Sequence, residues 1–148
     1  MVERQNVSLL QKAYARWHET RGGSVDDWMA LIDDNVRFGS LAQNAPQMTF
    51  ATSYKSRAAL KSYFDGLRAE WEMIHYTMNE FVAEGEVVVA RGHVAWRNKR
   101  TGKEVETPKI DFWRFRDGKA VEFYEYFDTA RAFAAAADDE PLLNGLLR

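Results

Sequence analysis

The 148-residue sequence contains no cysteine, so disulfides, thiolate nucleophiles and cysteine-based metal sites are excluded. It has little net charge, −2, and so carries no basic surplus that would point to nucleic acid or an anionic membrane as partner. No apolar run approaches the ~20 residues a membrane span needs. The N-terminal MVERQNVSLL lacks a signal-peptide pattern, which leaves a cytoplasmic protein as the expectation. No HxH or HxxxH spacing with nearby carboxylates suggests a metal, so neither metal nor cofactor is expected. Internal repeats, low-complexity tracts and linkers are also missing, and one domain over residues 1–148 is the simplest organisation.

What is present is a large share of apolar residues, 46%, with 14% aromatic, enough for a folded core. Val7, Leu10, Tyr14 and Trp17 recur at helical spacing, which predicts an amphipathic helix over Glu3–Thr20 ended by Gly22-Gly23. Ser24 opens a second short helix with Trp28, Leu31 and Ile32 on its buried face. Val36–Phe38 reads as a short strand. From Gly39 to Lys55 the pattern is lost, and this long loop with apolar Leu41, Met48 and Phe50 is expected to act as a mobile lid. Ser56 caps a third helix, Arg57–Trp71. The period then changes from helical to alternating over Glu72–Ala83, Val87–Arg97, Glu104–Phe115 and Lys119–Phe127, with Gly85, Gly102 and Gly118 at the turns. Pro108 marks an edge or a bulge. Asp128 or Thr129 caps a last helix, Ala130–Ala137. Helices first and strands after imply an α+β fold: a curved antiparallel sheet wrapped round the N-terminal helices, enclosing a cavity.

The stretch TPKIDFWRFRDGKAVEFYEYFD carries the strongest chemical signal. It reads as a hairpin turned at Asp117-Gly118, with Asp111 and Glu125 set among aromatic residues. Carboxylates are costly in apolar surroundings unless they are paired, solvated or neutral, so the face that bears them is a candidate site. Lys109, Asp111, Trp113 and Phe115 share one strand face; Phe123, Glu125 and Phe127 share another. If the polar-plus-aromatic faces point the same way, Arg91, His93, Asp111, Trp113 and Glu125 line one concavity. The opposite face, with Val88, Val94, Trp96, Tyr124 and Tyr126, is then apolar and outward, which implies a homodimer through the sheet. Each of these residues also has a structural reading. His93 can be a bonded histidine, Arg91 and Glu125 a cross-strand ion pair, and Tyr14 a core residue.

The element order, VDDWMALIDDNVRF after the first helix, and the ending DFWRFRDGKAVEFYEYFD resemble the SnoaL-like branch of the nuclear transport factor two-like (cystatin-like cone) superfamily. The resemblance implies that fold over nearly the whole chain. It also implies a function among polyketide cyclases, ketosteroid isomerases, limonene-type epoxide hydrolases, dehydratases and non-catalytic binding modules. IDFWRF is similar to the ketosteroid isomerase strand whose aspartate, with a first-helix tyrosine, forms an oxyanion hole; this implies Asp111 and Tyr14. The base aspartate of that enzyme falls near Ser40. VVVARGHV is similar to the epoxide hydrolase strand bearing an arginine, which implies Arg91, with His93 two residues on. EYFD places Glu125 at an acidic position of that enzyme, and its water-positioning residues fall on Phe38 and Ser40.

The reading that follows is a cofactor-independent acid/base enzyme for a small hydrophobic carbonyl or polyketide-like compound. Asp111, as a neutral acid, donates to a developing enolate with Tyr14 as second donor. His93 moves the proton, and Arg91 and Glu125 hold the histidine or the substrate. Trp17, Trp28, Phe38, Ser40, Trp113, Phe115 and Phe123 bind the substrate's apolar body. A binding or assembly module of the same fold is the alternative, and an epoxide hydrolase the third reading.

Overall fold

The computed structural model describes residues 2–138. The expectation of one domain over 1–148 extends to positions outside these described residues. Helix α1 runs Val2–Glu19 and α2 runs Val25–Leu31. Strand β1 covers Ile32–Ser40, and a single 3₁₀ turn, Pro46–Met48, lies in the segment that follows. Helix α3 is Leu60–Glu70. Strands β2 (Trp71–Glu84), β3 (Val87–Asn98), β4 (Glu104–Arg116) and β5 (Lys119–Phe127) come next, and α4 is Thr129–Ala136.

These elements form an α+β fold with a five-stranded sheet in the order β1-β5-β4-β3-β2. The sheet is mixed where the sequence predicts an antiparallel one: β1 pairs parallel to β5. The reason is topological. A helix and three strands separate β1 from β5, and the chain returns to the sheet edge running in the same sense. β1 is also longer than Val36–Phe38, because the polar run Asp33-Asp34-Asn35 hides its first half. Ile32, placed by its sequence on the helix before it, is the first strand residue. Helix α3 starts at Leu60 and not at Arg57; the Ser56 hydroxyl accepts from the Ala59 N–H and so caps a preceding turn. Trp71 belongs to β2.

The β4–β5 turn is built as its residues require. Asp117 and Gly118 both have positive φ, 50° and 78°, the backbone of a two-residue turn that follows the twist of its strands. Pro108 sits just past the end of β5, whose pairing with β4 stops at Lys109 and Phe127. Asp128, rather than Thr129, caps α4 by accepting from the Arg131 N–H. The other end of α4 is held from the β3–β4 turn. Thr101 donates to the Ala135 carbonyl, Lys103 to Ala134 and Ala137, and Arg100 to Ala136. These donors satisfy carbonyls that a helix end leaves open, and two of them bring the positive charge it favours.

Register decides which side chains face the helices. Val88 pairs with Trp113, Ala90 with Asp111, Gly92 with Lys109 and Val94 with Thr107. Residues directly opposite share a face, and this whole set is buried against α1, α2 and α3 or over the cavity. The next set, Val89 with Phe112, Arg91 with Ile110 and His93 with Pro108, points outward. Two expectations therefore fail by one residue of phase. Val88, Val94 and Trp96 belong to the inner face and not to an outer one. Arg91 and His93 lie on the solvent side, away from Asp111. The outer face does carry Tyr124 and Tyr126, as expected, with Val89, Ile110 and Phe112 in addition. No helix among the described residues is long and apolar enough to cross a membrane.

Candidate functional site

The inner face of the sheet and the helices enclose a tight, largely apolar cavity of about 80 Å³. Helix α1 supplies Tyr14 and Trp17, three residues apart and so on one face. Trp28 comes from α2, Phe38 from β1, Tyr63 and Phe64 from α3, and Tyr76 from β2. Met48 and Phe50 enter from the segment after β1; they are buried, whereas Leu41 from the same segment is exposed. The aromatic walls pack on one another. Trp28 stacks on Trp113 at 5.4 Å between centroids, Tyr14 on Tyr76 at 5.8 Å and Phe38 on Phe123 at 4.3 Å.

Strands β4 and β5 bring the charge. Asp111 and Glu125 are direct cross-strand partners on the inner face, and both are buried. Two like charges in that position repel. Lys109, two residues before Asp111 on the same face, lies between them. Its Nζ is 2.5 Å from Asp111 Oδ1 and 3.4 Å from Glu125 Oε1. It also donates to the Tyr76 hydroxyl at 2.7 Å.

The hydroxyls complete the network. Tyr14 donates to Asp111 Oδ2 at 2.5 Å and accepts from Trp113 Nε1 at 2.8 Å. Tyr76 donates to the same Oδ2 at 3.2 Å, and Tyr63 donates to Glu125 Oε1 at 3.0 Å. Asp111 thus accepts from Lys109, Tyr14 and Tyr76, and both of its oxygens are engaged as acceptors. Glu125 differs: no described residue hydrogen-bonds its Oε2. His18 steadies Tyr76 from behind, its Nδ1 accepting from the Tyr76 backbone N–H at 3.1 Å.

Burial and neighbouring charges bias every proton in this cluster. Burial alone would pull the Lys109 ammonium down, but Asp111 and Glu125 outweigh it and hold the group above the ordinary lysine range. Burial pushes the Tyr14, Tyr63 and Tyr76 hydroxyls well above the usual tyrosine range, and the adjacent carboxylates push the same way. At neutral pH the cluster therefore contains a charged lysine and neutral tyrosines.

Of the residues expected at the site, Tyr14, Asp111, Glu125, Trp17, Trp28, Phe38, Trp113 and Phe123 line this cavity. Arg91 and His93 do not. Arg91 is exposed on the outer face, 2.5 Å from Glu80, and His93 is exposed beside Pro108. Ser40 is buried but turned to its own backbone, where its hydroxyl accepts from the Ala42 N–H. Phe115 is buried beneath Trp113, outside the cavity lining. Lys109, Tyr63 and Tyr76 are the additions. Lys109 was signalled by its alternation with Asp111 and Trp113 in KIDFW; the tyrosines looked like ordinary core residues of a helix and a strand. No group of three or more His, Cys, Asp or Glu side chains among the described residues could hold a metal ion.

The SnoaL-like domain model matches residues 10–123. The chain belongs to the SnoaL-like domain family. No curated protein shows significant sequence similarity to it. Solved structures share its nuclear transport factor two-like fold. One is an NTF2-like protein of unknown function from Burkholderia pseudomallei: 20% identity, TM-score 0.77, covering 90% of this chain and 98% of that one. Another is a candidate SnoaL-like polyketide cyclase from Jannaschia, with 16% identity, TM-score 0.71 and coverage of 91% and 93%. A third is a candidate polyketide cyclase from Xanthomonas campestris, with 17% identity, TM-score 0.72 and coverage of 93% and 100%.

Proposed function

We propose that the cavity is the active site of a cofactor-independent acid/base enzyme of the cyclase or isomerase type, acting on a small hydrophobic carbonyl or polyketide-like compound. One observation carries this reading: a buried carboxylate, Glu125, keeps an unbonded oxygen inside an aromatic cavity and lies 3.4 Å from an ammonium. In this reading Glu125 is the base that removes a proton next to the substrate carbonyl. The Lys109 ammonium, released from Glu125 as that carboxylate is neutralised, faces the developing enolate oxygen. The negative charge moves from Glu125 to the substrate, so the total charge of the buried site stays constant and the cost of desolvating a new charge is avoided. Asp111 anchors Lys109, Tyr14 and Tyr76. The role of acid assigned to it from sequence passes to Lys109. The two fold neighbours described as candidate polyketide cyclases support the reaction class.

The test is hydrogen–deuterium exchange at the α-carbon of aromatic ketones in heavy water, followed by NMR. Exchange should depend on the protein, and Glu125→Gln should slow it by about 10²–10⁴-fold while binding persists. Binding without exchange by any compound would instead favour the module that binds and does no chemistry.

The proposal includes a homodimer through the outer face of the sheet. Ile110 and Tyr126 are large exposed apolar residues there and direct cross-strand partners, with Val89, Phe112 and Tyr124 beside them. The charges at its margin are already paired within the chain, Arg91 with Glu80 and Arg114 with Glu122. A surface whose charges are internally balanced can meet a copy of itself without like-charge conflict.

A further inference from the structure

The cavity carries an unbalanced charge. One ammonium, Lys109, faces two carboxylates, Asp111 and Glu125, leaving one negative charge in excess. No other charged side chain lines the cavity among the described residues. The excess is localised. Asp111 is saturated by Lys109, Tyr14 and Tyr76, whereas Glu125 is only 4% exposed, lines the cavity and has no hydrogen bond to Oε2. Glu125 lines the cavity, and a carboxylate in apolar surroundings favours a partner that brings it a proton or a positive charge.

The surroundings narrow what that can be. Lys109 donates to Asp111 and Tyr76 and lies 3.4 Å from Glu125, so its charge already faces two carboxylates. Two carboxylates beside a lysine make a poor cage for an inorganic cation, and no metal-ligating cluster occurs among the described residues. The walls are aromatic, with Tyr14, Trp17, Trp28, Tyr76 and Phe123 among them. Aromatic faces attract organic cations, and Lys109 itself lies 5.2 Å from the Tyr76 ring centre and 5.7 Å from that of Phe123.

We infer that this cavity is selective for a cationic organic ligand, an ammonium group on a flat apolar body, whose nitrogen pairs with the unengaged oxygen of Glu125. The inference rests on the charge and lining of the cavity and not on the acid/base reading. It stands whether or not the bound molecule is turned over.

Three probes of one skeleton test it: naphthylmethylammonium, naphthylmethanol and naphthoate, titrated at neutral pH with tryptophan fluorescence as readout. The ammonium should bind at least tenfold more tightly than the alcohol, and the carboxylate more weakly than either. In Glu125→Gln the ammonium should lose its tenfold advantage while the alcohol binds as before, which also shows that the variant retains its cavity. The order of the three probes on the unmodified protein is a test that needs no variant. Equal binding of ammonium and alcohol, or tighter binding of naphthoate, would overturn the inference and mean that Glu125 holds its own proton; the acid/base reading would still be open to the exchange experiment. Failure of all three probes to bind would also overturn the inference and leave the acid/base reading to the exchange experiment.

Discussion

Lys109 separates two carboxylates that the register of β4 and β5 sets face to face. Removing it leaves both buried without a counter-charge. Lys109→Met should therefore cost about 3–5 kcal/mol, the scale for breaking a buried pair from one side. A triple change that also makes Asp111→Asn and Glu125→Gln should recover much of the loss; melting curves that stay equally low would sink the account. Asp111→Leu should also be strongly destabilising, since it strands Lys109, Tyr14 and Tyr76. The same cluster sets a pH limit. Lys109, Tyr14, Tyr63 and Tyr76 all titrate higher in the fold than in the unfolded chain. Such groups stabilise fully below their unfolded values, ~10–10.4, and that stability is lost as pH rises through the folded ones. Alkaline titration should show tyrosinate absorbance in two waves, the second coinciding with loss of the near-ultraviolet circular dichroism. A single wave with the fold intact would contradict it. At this scale the sequence was partly legible. Apolar neighbours marked Asp111 and Glu125, and alternation put Lys109 on the Asp111 face. Nothing local fixed how β3 aligns with β4, and so Arg91 and His93 were placed on the wrong side.

Elements were easier to read than their partners. The change of period at Trp71 and the turns at Gly85, Gly102 and Asp117-Gly118 define four strands to within a residue or two, because those signals are local. The parallel pairing of β1 with β5 was hidden, since it depends on where a chain returns after a helix and three strands. Gly92 permits a close approach between β2 and β3. A Cβ built on Gly92 would lie 1.8 Å from the Thr77 carbonyl oxygen, beside the irregularity between Met78 and Glu80. Gly92→Ala must displace backbone, so a cost of about 1–3 kcal/mol or more is expected, with faster amide exchange in both strands. An unchanged melting temperature would show that the close approach is not fixed in solution. The segment between β1 and α3 behaves differently. Its backbone bonds are mostly short-range turns, such as Ala45 to Ala42 and Ala51 to Met48, though Met48 and Phe50 reach the cavity. Its amides should exchange faster than those of β3 without ligand. Equal protection would remove it as a moving cover.

For the whole molecule the open question is what meets the outer face of the sheet. The sequence suggested that an apolar face seeks a partner, but it named Val88, Val94 and Trp96, which turn inward. A charge at Val94 would enter the cavity wall and damage ligand binding, so it cannot report on association. The informative positions are Phe112 and Tyr126, on neighbouring strands of the outer face and away from the cavity network. If two copies pair through this face by a two-fold axis, each residue near the axis meets its own counterpart or a close neighbour. A charge introduced there is desolvated in both copies at once. Phe112→Glu with Tyr126→Lys in one chain would offer opposite charges across the axis and confuse the result. Phe112→Glu alone repels its symmetry mate and is the cleaner change. Sedimentation at micromolar concentration should show the natural chain as a species of twice 17.1 kDa and the Phe112→Glu chain as the single mass. Fluorescence titration with the naphthyl probes should give the same affinities for both, because no outer-face side chain reaches the cavity. A natural chain that sediments only as a monomer would leave the outer face unpartnered, and would assign its tyrosines to covering the sheet from solvent.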